Sequence, residues 1–309
     1  MSRSVFKQIA ELTTEQILPD ALEIDTLSIG EILQLMSTED TKVAPAVHAV
    51  LPQIEAAVEK VVASFQAGGR LIYIGAGTSG RLGIVDASEC PPTFGTDPEQ
   101  VTGIIAGGRD TVFLSKEGIE DDAEQGGRDL LDAGLTPQDT VVGIASSSRT
   151  PYVLGALKYA KRSGAATVFL MCNPPAEASA ALNQADVIIA PMVGPEVIMG
   201  STRLKAGTAT KMILNMITTT AFIRCGKVYQ GMMVDLKAWS EKLTARSRRV
   251  IMLAADLDYD QAGSYLEKAG GSVKTAIVMA LCGVPRDTAE ELLKRHGGFI
   301  RQVVKTQKK

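Results

Sequence analysis

Basic residues never gather in this chain. Apart from the short run at 305–309, Lys and Arg are dispersed, and they are outnumbered by Asp and Glu, 32 to 35, for a formal charge of −3. A nucleic-acid footprint needs a concentrated positive face, so nucleic acid is excluded as a partner. A small anion needs only a few donors and is not excluded. Long apolar runs are missing too. None approaches the ~18 residues that span a bilayer. The opening residues, MSRSVFKQIAELTTEQ, lack the apolar core of a signal peptide. The expectation is a cytoplasmic protein without a membrane partner. Histidine is scarce, with only His48 and His296, so neither a Ser-His-Asp triad nor an imidazole metal site has much to build on. Cysteine is sparse as well. Cys90, Cys172, Cys225 and Cys282 form no CxxC pair, which fits scattered thiols in a reducing compartment better than disulfides or a metal site. Aromatics are only 5%, and Trp239 is the sole tryptophan. Ala, Val, Ile and Gly carry the apolar content instead, a mix common in α/β folds.

What is present is an alternating pattern. Residues 29–36 and 43–65 have apolar positions at helical spacing, and Gly68-Gly69 ends the second stretch. Five strand-like runs follow, at 71–75, 101–106, 140–145, 166–171 and 187–190. Most are continuous Val, Ile, Leu, Phe or Ala, as in strands covered on both faces. Helical segments at 79–89, 120–133, 151–163 and 176–183 separate them. This alternation predicts an α/β fold with a doubly wound five-stranded parallel sheet. Ligands of such sheets sit beyond the carboxyl ends of the strands. A long helix is expected over 201–224, with Met212, Ile213, Met216 and Ile217 as core residues. From about 243 onward the pattern is a small bundle of three short helices. Asp258 with Gln261, and Asp287 with Glu290, have capping-box spacing. Gly270-Gly271 and Gly297-Gly298 fit helix C-termini. The organisation expected is an N-terminal helical segment (1–60), a sheet domain (61–224) and a C-terminal helical bundle (225–309).

Two turns have the composition for chemistry. Gly75-Ala76-Gly77-Thr78-Ser79-Gly80 matches GxGxxG after a strand. The dinucleotide form of that motif expects an acid at the tip of the second strand. Here the second strand ends in Ala106-Gly107-Gly108, and the absence argues against a dinucleotide. The other turn is Ser146-Ser147-Ser148-Arg149-Thr150-Pro151, where hydroxyls crowd the end of the third strand. One such turn alone reads as a helix N-cap. Two, on strands one and three of one sheet, favour a cradle in which hydroxyls and helix N-terminal N–H groups hold a phosphate.

Carboxylates follow the first two strands. Glu89 lies in Asp86-Ala87-Ser88-Glu89-Cys90-Pro91-Pro92, in apolar company. It reads equally well as a desolvated proton donor and as a solvated carboxylate at a helix end. For Glu120, Asp121 and Asp122, spacing alone favours placement against a helix dipole.

The run Ile74-Gly-Ala-Gly-Thr-Ser-Gly-Arg-Leu-Gly83, with Asp86-Ala-Ser-Glu-Cys-Pro-Pro-Thr-Phe-Gly95, resembles the signature of the N-acetylmuramic acid 6-phosphate etherases. So does Gly194-Pro-Glu-Val-Ile-Met-Gly-Ser-Thr-Arg-Leu-Lys-Ala-Gly-Thr-Ala209, and upstream Glu31-Ile-Leu-Gln-Leu-Met36 with Glu39-Asp40. The resemblance covers nearly the whole chain, and its combination of motifs is specific where GxGxxG alone is weak. It implies a sugar isomerase (SIS) domain of flavodoxin-like strand order, a UBA-like C-terminal bundle and a likeness to the sugar-phosphate-binding glucokinase regulatory protein. It further implies cleavage of the D-lactyl ether of N-acetylmuramic acid 6-phosphate in peptidoglycan recycling, with no metal or organic cofactor, and a homodimer. Carried over by motif, Glu89 is the proton donor to the leaving lactate and Glu120 the base. Gly77, Thr78, Ser79, Ser146, Ser147, Ser148 and Thr150 hold the phosphate, and Glu196 and Ser201 contact the sugar. The family pattern in the second turn is Ser-Gly-Arg-Thr, so Ser148 stands in a glycine place, where positive φ is often needed. A non-catalytic sugar-phosphate sensor and an aldose–ketose isomerase are the competing readings; the presence of both glutamates favours the enzyme.

Overall fold

The computed structural model describes residues 12–174, 182–236 and 241–307. Short 3-10 turns lead into helix α1 (Ile29–Asp40), then α2 (Val43–His48) and α3 (Leu51–Gln66). Ser28 and Glu31 form a capping box that starts α1. The single helix expected over 43–65 is broken at Ala49-Val50. Pro52 in the first turn of α3 supplies no N–H to continue the earlier helix.

The alternating region then runs β1 (Leu71–Gly75), α4 (Gly77–Phe94), β2 (Val101–Ile105), α5 (Ala123–Asp132), β3 (Thr140–Ile144), α6 (Pro151–Arg162), β4 (Ala166–Leu170), β5 (Val187–Ile189) and α7 (Lys205–Arg224). The sheet is parallel with strand order β2-β1-β3-β4-β5, the doubly wound order expected. Strands β1 and β3 are buried throughout, whereas β2 lies at an edge and is buried only at its ends. That is why the central strands read as unbroken apolar runs and β2 does not. The core on one side of the sheet includes Ile72, Ile74, Val141, Tyr152, Val153, Leu157 and Phe169.

Three expectations need correction. Helix α4 begins two residues earlier than 79 and continues through Pro91 and Pro92 to Phe94. The segment at 120 is not yet helix: Ile119–Asp121 is a 3-10 turn, and Asp122 caps α5 by accepting from Glu124 N and Gln125 N. The long helix starts at Lys205, not at 201. The helix expected over 176–183 falls, apart from its end, outside the described residues, as does Trp239.

A two-stranded antiparallel ribbon, β6 (Val228–Tyr229) and β7 (Met232–Met233), precedes α8 (Glu241–Ala255), α9 (Tyr259–Lys268), α10 (Val273–Cys282), α11 (Arg286–Arg295) and α12 (Ile300–Gln307). The bundle therefore has more helices than the three expected. Asp258 and Gln261 form the capping box that their spacing predicts. Asp287 and Glu290 do not: Pro285 occupies the cap of α11, and Glu290 pairs with Arg286 instead. Gly270, Gly271, Gly297 and Gly298 all have positive φ at helix ends. Val250, Ile251, Ala276, Ile277, Leu293 and Val303 are among the buried residues of this bundle's own core. Among the described residues the chain divides into two compact units. One takes in the residues up to Ser88 and Glu99–Ile217; the other takes in Glu89–Pro98 and the residues from Thr218 onward. No helix of the described residues is long and apolar enough to cross a membrane.

Candidate active site

The register of the sheet brings the two hydroxyl-rich turns together. Gly75, the last residue of β1, pairs with Ile144, the last residue of β3. The turns that follow therefore leave the same edge of the sheet from neighbouring strands, roughly 5 Å apart. This is also the switch point, because the chain goes to β2 on one side of β1 and to β3 on the other.

The glycines of the first turn each meet a specific steric demand. Gly77 has φ 53° and opens α4. A Cβ on Gly80 would stand 2.7 Å from the Gly75 carbonyl and 2.6 Å from Ile105, so only glycine lets the helix lie this close to the strand. Thr78 and Ser79 fall in the first turn of α4, half-buried, where helix N–H groups lack intrahelical acceptors. Gly207, in the first turn of α7, lies against the methyl group of Thr78.

In the second turn, residues 146–150 are all half-buried. Pro151 begins α6 as anticipated, although Thr150 makes no side-chain cap. Ser148 has φ 60°, so the place where the family pattern has glycine does take the left-handed conformation. Serine fills it at a cost in strain, and its hydroxyl donates to the Ser147 carbonyl at 2.6 Å. The Ser146 carbonyl accepts from Cys172 N at 3.1 Å and from Asn173 Nδ2 at 2.7 Å.

Glu120 sits half-buried in its 3-10 turn, beyond β2 and immediately before α5. Arg81, from the α4 motif, steadies the loop between β2 and that turn. It donates to the Val112 and Thr111 carbonyls at 2.7 and 2.8 Å. Glu89 lies on α4 and is exposed, so the desolvated environment offered as one reading is absent. One turn earlier on the same helix, the buried Asp86 accepts from Tyr73 Oη at 2.9 Å and from Asn215 Nδ2 at 2.6 Å. These bonds tie α4 to β1 and to α7.

Glu196 is 1% exposed, and its carboxylate accepts from Lys205 N at 3.1 Å and Ala206 N at 3.0 Å. It caps α7. Burial pushes its carboxyl above the usual range, against the pull of those two N–H groups. Burial, followed by the Glu196 charge, also pushes the Cys172 thiol up to about 12, which leaves it an unreactive thiol. Ser201 is half-buried just ahead of α7. Lys205 is itself buried, and its ammonium meets the Glu39 carboxylate of α1 at 2.5 Å.

Residues 53–161 match the family described as the glucokinase regulatory protein N-terminal SIS domain. The N-acetylmuramic acid 6-phosphate etherase of Salinibacter ruber is 54% identical over 304 residues, covering 98% of this chain and 97% of its own. That of Oceanobacillus iheyensis is 53% identical, covering 94% of this chain and 98% of its own. The chain belongs to the N-acetylmuramic acid 6-phosphate etherase family. Among solved structures it is similar to the phosphoheptose isomerases of Neisseria gonorrhoeae (TM-score 0.46, 14% identity, 63% of this chain and 98% of that one) and Francisella tularensis (TM-score 0.45, 15% identity, 62% and 99%).

Against that membership, the etherase signature splits into two kinds of residue. Gly75, Gly77 and Gly80 make close approach or positive φ possible, while Thr78, Ser79 and Ser146–Thr150 present polar groups at the sheet edge. Sequence reasoning missed Asp86, Asn173 and Lys205. Asp86 and Lys205 stand inside the quoted motifs, and Asn173 lies in the loop after β4, three residues beyond Leu170; a polar residue near a strand tip or on an apolar helix face was the available signal.

Proposed function

We propose that this etherase cleaves the D-lactyl ether of N-acetylmuramic acid 6-phosphate, releasing D-lactate and N-acetylglucosamine 6-phosphate, in the recycling of cell-wall amino sugar. Its substrate is a small phosphosugar. The observation that carries the site assignment is the pairing of Gly75 with Ile144, which sets both hydroxyl-rich turns at one switch point. Thr78, Ser79 and the turn from Ser146 to Thr150, with Gly77 allowing close approach, hold the 6-phosphate through hydroxyls and helix N-terminal N–H groups.

The chemistry follows from the carbonyl of the open-chain sugar. The proton on C2 lies beside the C1 aldehyde and is acidic enough for a carboxylate. Glu120 removes it. The electron pair forms the C2–C3 double bond, and the C3–O bond to lactate breaks as Glu89 gives its proton to the leaving oxygen. Water then adds at C3: Glu89 takes a proton from it, and Glu120 returns one to C2. One pair of groups therefore serves both halves. Glu196 contributes by capping α7, the helix that Ser201 precedes, so its part in sugar binding is to set the position of that segment.

A second copy of the chain completes the proposal. Of the residues in α1 only Glu39 is buried, while Ile29 and Leu33 are 79% and 60% exposed. Apolar exposure of that extent on one helix supports a homodimer. The scattered cysteines support a reducing, cytoplasmic location.

The test is D-lactate release from the 6-phosphorylated muramic sugar and from its unphosphorylated form. Release from the phosphorylated sugar alone is expected. Equal rates on both would remove the phosphate cradle.

A further inference from the structure

The 3-10 turn Thr13–Glu15 crosses the strand ends and touches two of the loops there. Thr14 is fully buried, and so is Asn173, 159 residues away. Thr14 N donates to Asn173 Oδ1 at 3.2 Å, and Asn173 Nδ2 donates to Thr14 Oγ1 at 3.1 Å. The Thr14 carbonyl accepts from Gly200 N at 3.0 Å. The second hydrogen of the Asn173 amide goes to the Ser146 carbonyl at 2.7 Å. All the amide's hydrogens are thus spent on two partners, one in the N-terminal turn and one at the tip of β3.

That last bond has a directional consequence. In a trans peptide the C=O of one residue and the N–H of the next point in opposite directions within one plane. Asn173 and Cys172 N together turn the Ser146 carbonyl toward the β4 loop. The Ser147 N–H must therefore point the other way. Among the described residues no acceptor takes it. We propose that Thr14 and Asn173 are positioning residues: through the Ser146 carbonyl they aim the Ser147 N–H at the phosphate of the substrate.

The inference rests on the reading of residues 146–150 as a phosphate turn. It adds that the N-terminal strap sets that turn's donor geometry without touching substrate. Aiming a phosphate donor helps ground state and transition state alike, so its loss raises KM and leaves kcat nearly unchanged. A purely structural role would lower melting temperature and active fraction without moving KM.

The experiment compares wild type, Asn173→Asp, Thr14→Val, Thr14→Ser and Ser147→Ala, using lactate release and inhibition by inorganic phosphate. Asn173→Asp removes both amide donors, and KM and the phosphate inhibition constant are expected to rise together about tenfold, the effect of one lost charge-assisted hydrogen bond. Thr14→Val keeps the volume, loses the hydroxyl and is expected to shift both constants about threefold. Thr14→Ser is expected to restore both. Wild-type constants in folded Asn173→Asp and Thr14→Val would overturn the positioning role. So would a fall in kcat or melting temperature with KM unmoved. If Ser147→Ala, Asn173→Asp and Thr14→Val all leave phosphate inhibition unchanged, the phosphate turn itself is misassigned. If Ser147→Ala weakens it while the other two do not, only the positioning role fails.

Discussion

Tyr152 donates its buried hydroxyl to the Asp129 carboxylate at 2.5 Å. Tyr152 is the second residue of α6, directly after the turn from Ser146 to Thr150. Asp129 lies on α5, which begins three residues after Glu120. The same two helices meet at Gly126 and Gly155, where any Cβ would collide with the backbone of Tyr152 and Ala123 respectively. Close packing and one hydrogen bond thus hold the proposed base in register with the proposed phosphate turn.

Tyr152→Phe tests that register. It removes the donor while keeping the ring, so stability should fall by about 1–2 kcal/mol. Misplacing the base should lower kcat more than it raises KM. Burial first, and Asp129 second, push the phenol far above its ordinary value. The unfolded chain loses this proton near pH 10, while the fold retains it. The bond's contribution is therefore complete below about pH 10 and is lost as the pH climbs toward the folded value. Melting temperatures of wild type should drop more steeply above pH 10 than those of Tyr152→Phe; parallel curves would count against the linkage.

The two glutamates divide the reaction. Glu120→Gln should slow exchange of the C2 proton with deuterated water, and Glu89→Gln should block lactate release, each by on the order of 10²–10⁴. Proton exchange and lactate release are read separately by NMR and a D-lactate assay. Full exchange in Glu120→Gln would refute its role as base.

Ser148→Gly relieves a left-handed serine. The strain saved, about 1–2 kcal/mol, is partly offset by glycine's larger unfolded-state entropy, about 0.5–1 kcal/mol. Stability should rise slightly, while KM should rise modestly because one hydroxyl of the phosphate turn is lost. Ser148→Val, β-branched at φ 60°, should lose stability and raise KM. Urea unfolding with steady-state kinetics checks both; a Ser148→Val protein as stable as wild type would show that the turn relaxes freely.

Glu39 is buried between two ammonium groups, Lys205 and Lys42. Burial pushes its carboxyl up, but the hydrogen bonds and charges of the two lysines outweigh it and hold the group below the usual range. Its contribution is present above the unfolded value of 4.5 and is lost as pH falls below it. Glu39→Gln leaves the Lys205 ammonium buried without its counter-charge, at a cost of about 3–5 kcal/mol. The stability gap between wild type and Glu39→Gln, measured by urea unfolding, should be widest near neutral pH and narrow below about pH 4. A gap independent of pH would mean that the ion pair contributes nothing.

The five strands, their alternation with helices and the two hydroxyl-rich turns were all legible in the residues. Strand positions follow from short apolar runs bounded by glycine, a local pattern that burial on both faces imposes. Boundaries were less legible. The helix expected over 79–89 runs from Gly77 through Pro91 and Pro92 to Phe94. Likewise Asp287 and Glu290 had capping-box spacing, but Pro285 took the cap.

The sequence by itself determined the α/β order, the glycine-dependent turn at Gly77 and the family to which the chain belongs, because each is written in neighbouring residues. Only the tertiary structure decided that Gly75 and Ile144 end in register, that Glu89 is exposed, that Glu196 caps a helix, and that Thr14 reaches Asn173. Those relations join residues up to 159 positions apart. They depend on which strands pair and which backbone groups remain to be satisfied once the sheet has formed, and no local pattern carries that information.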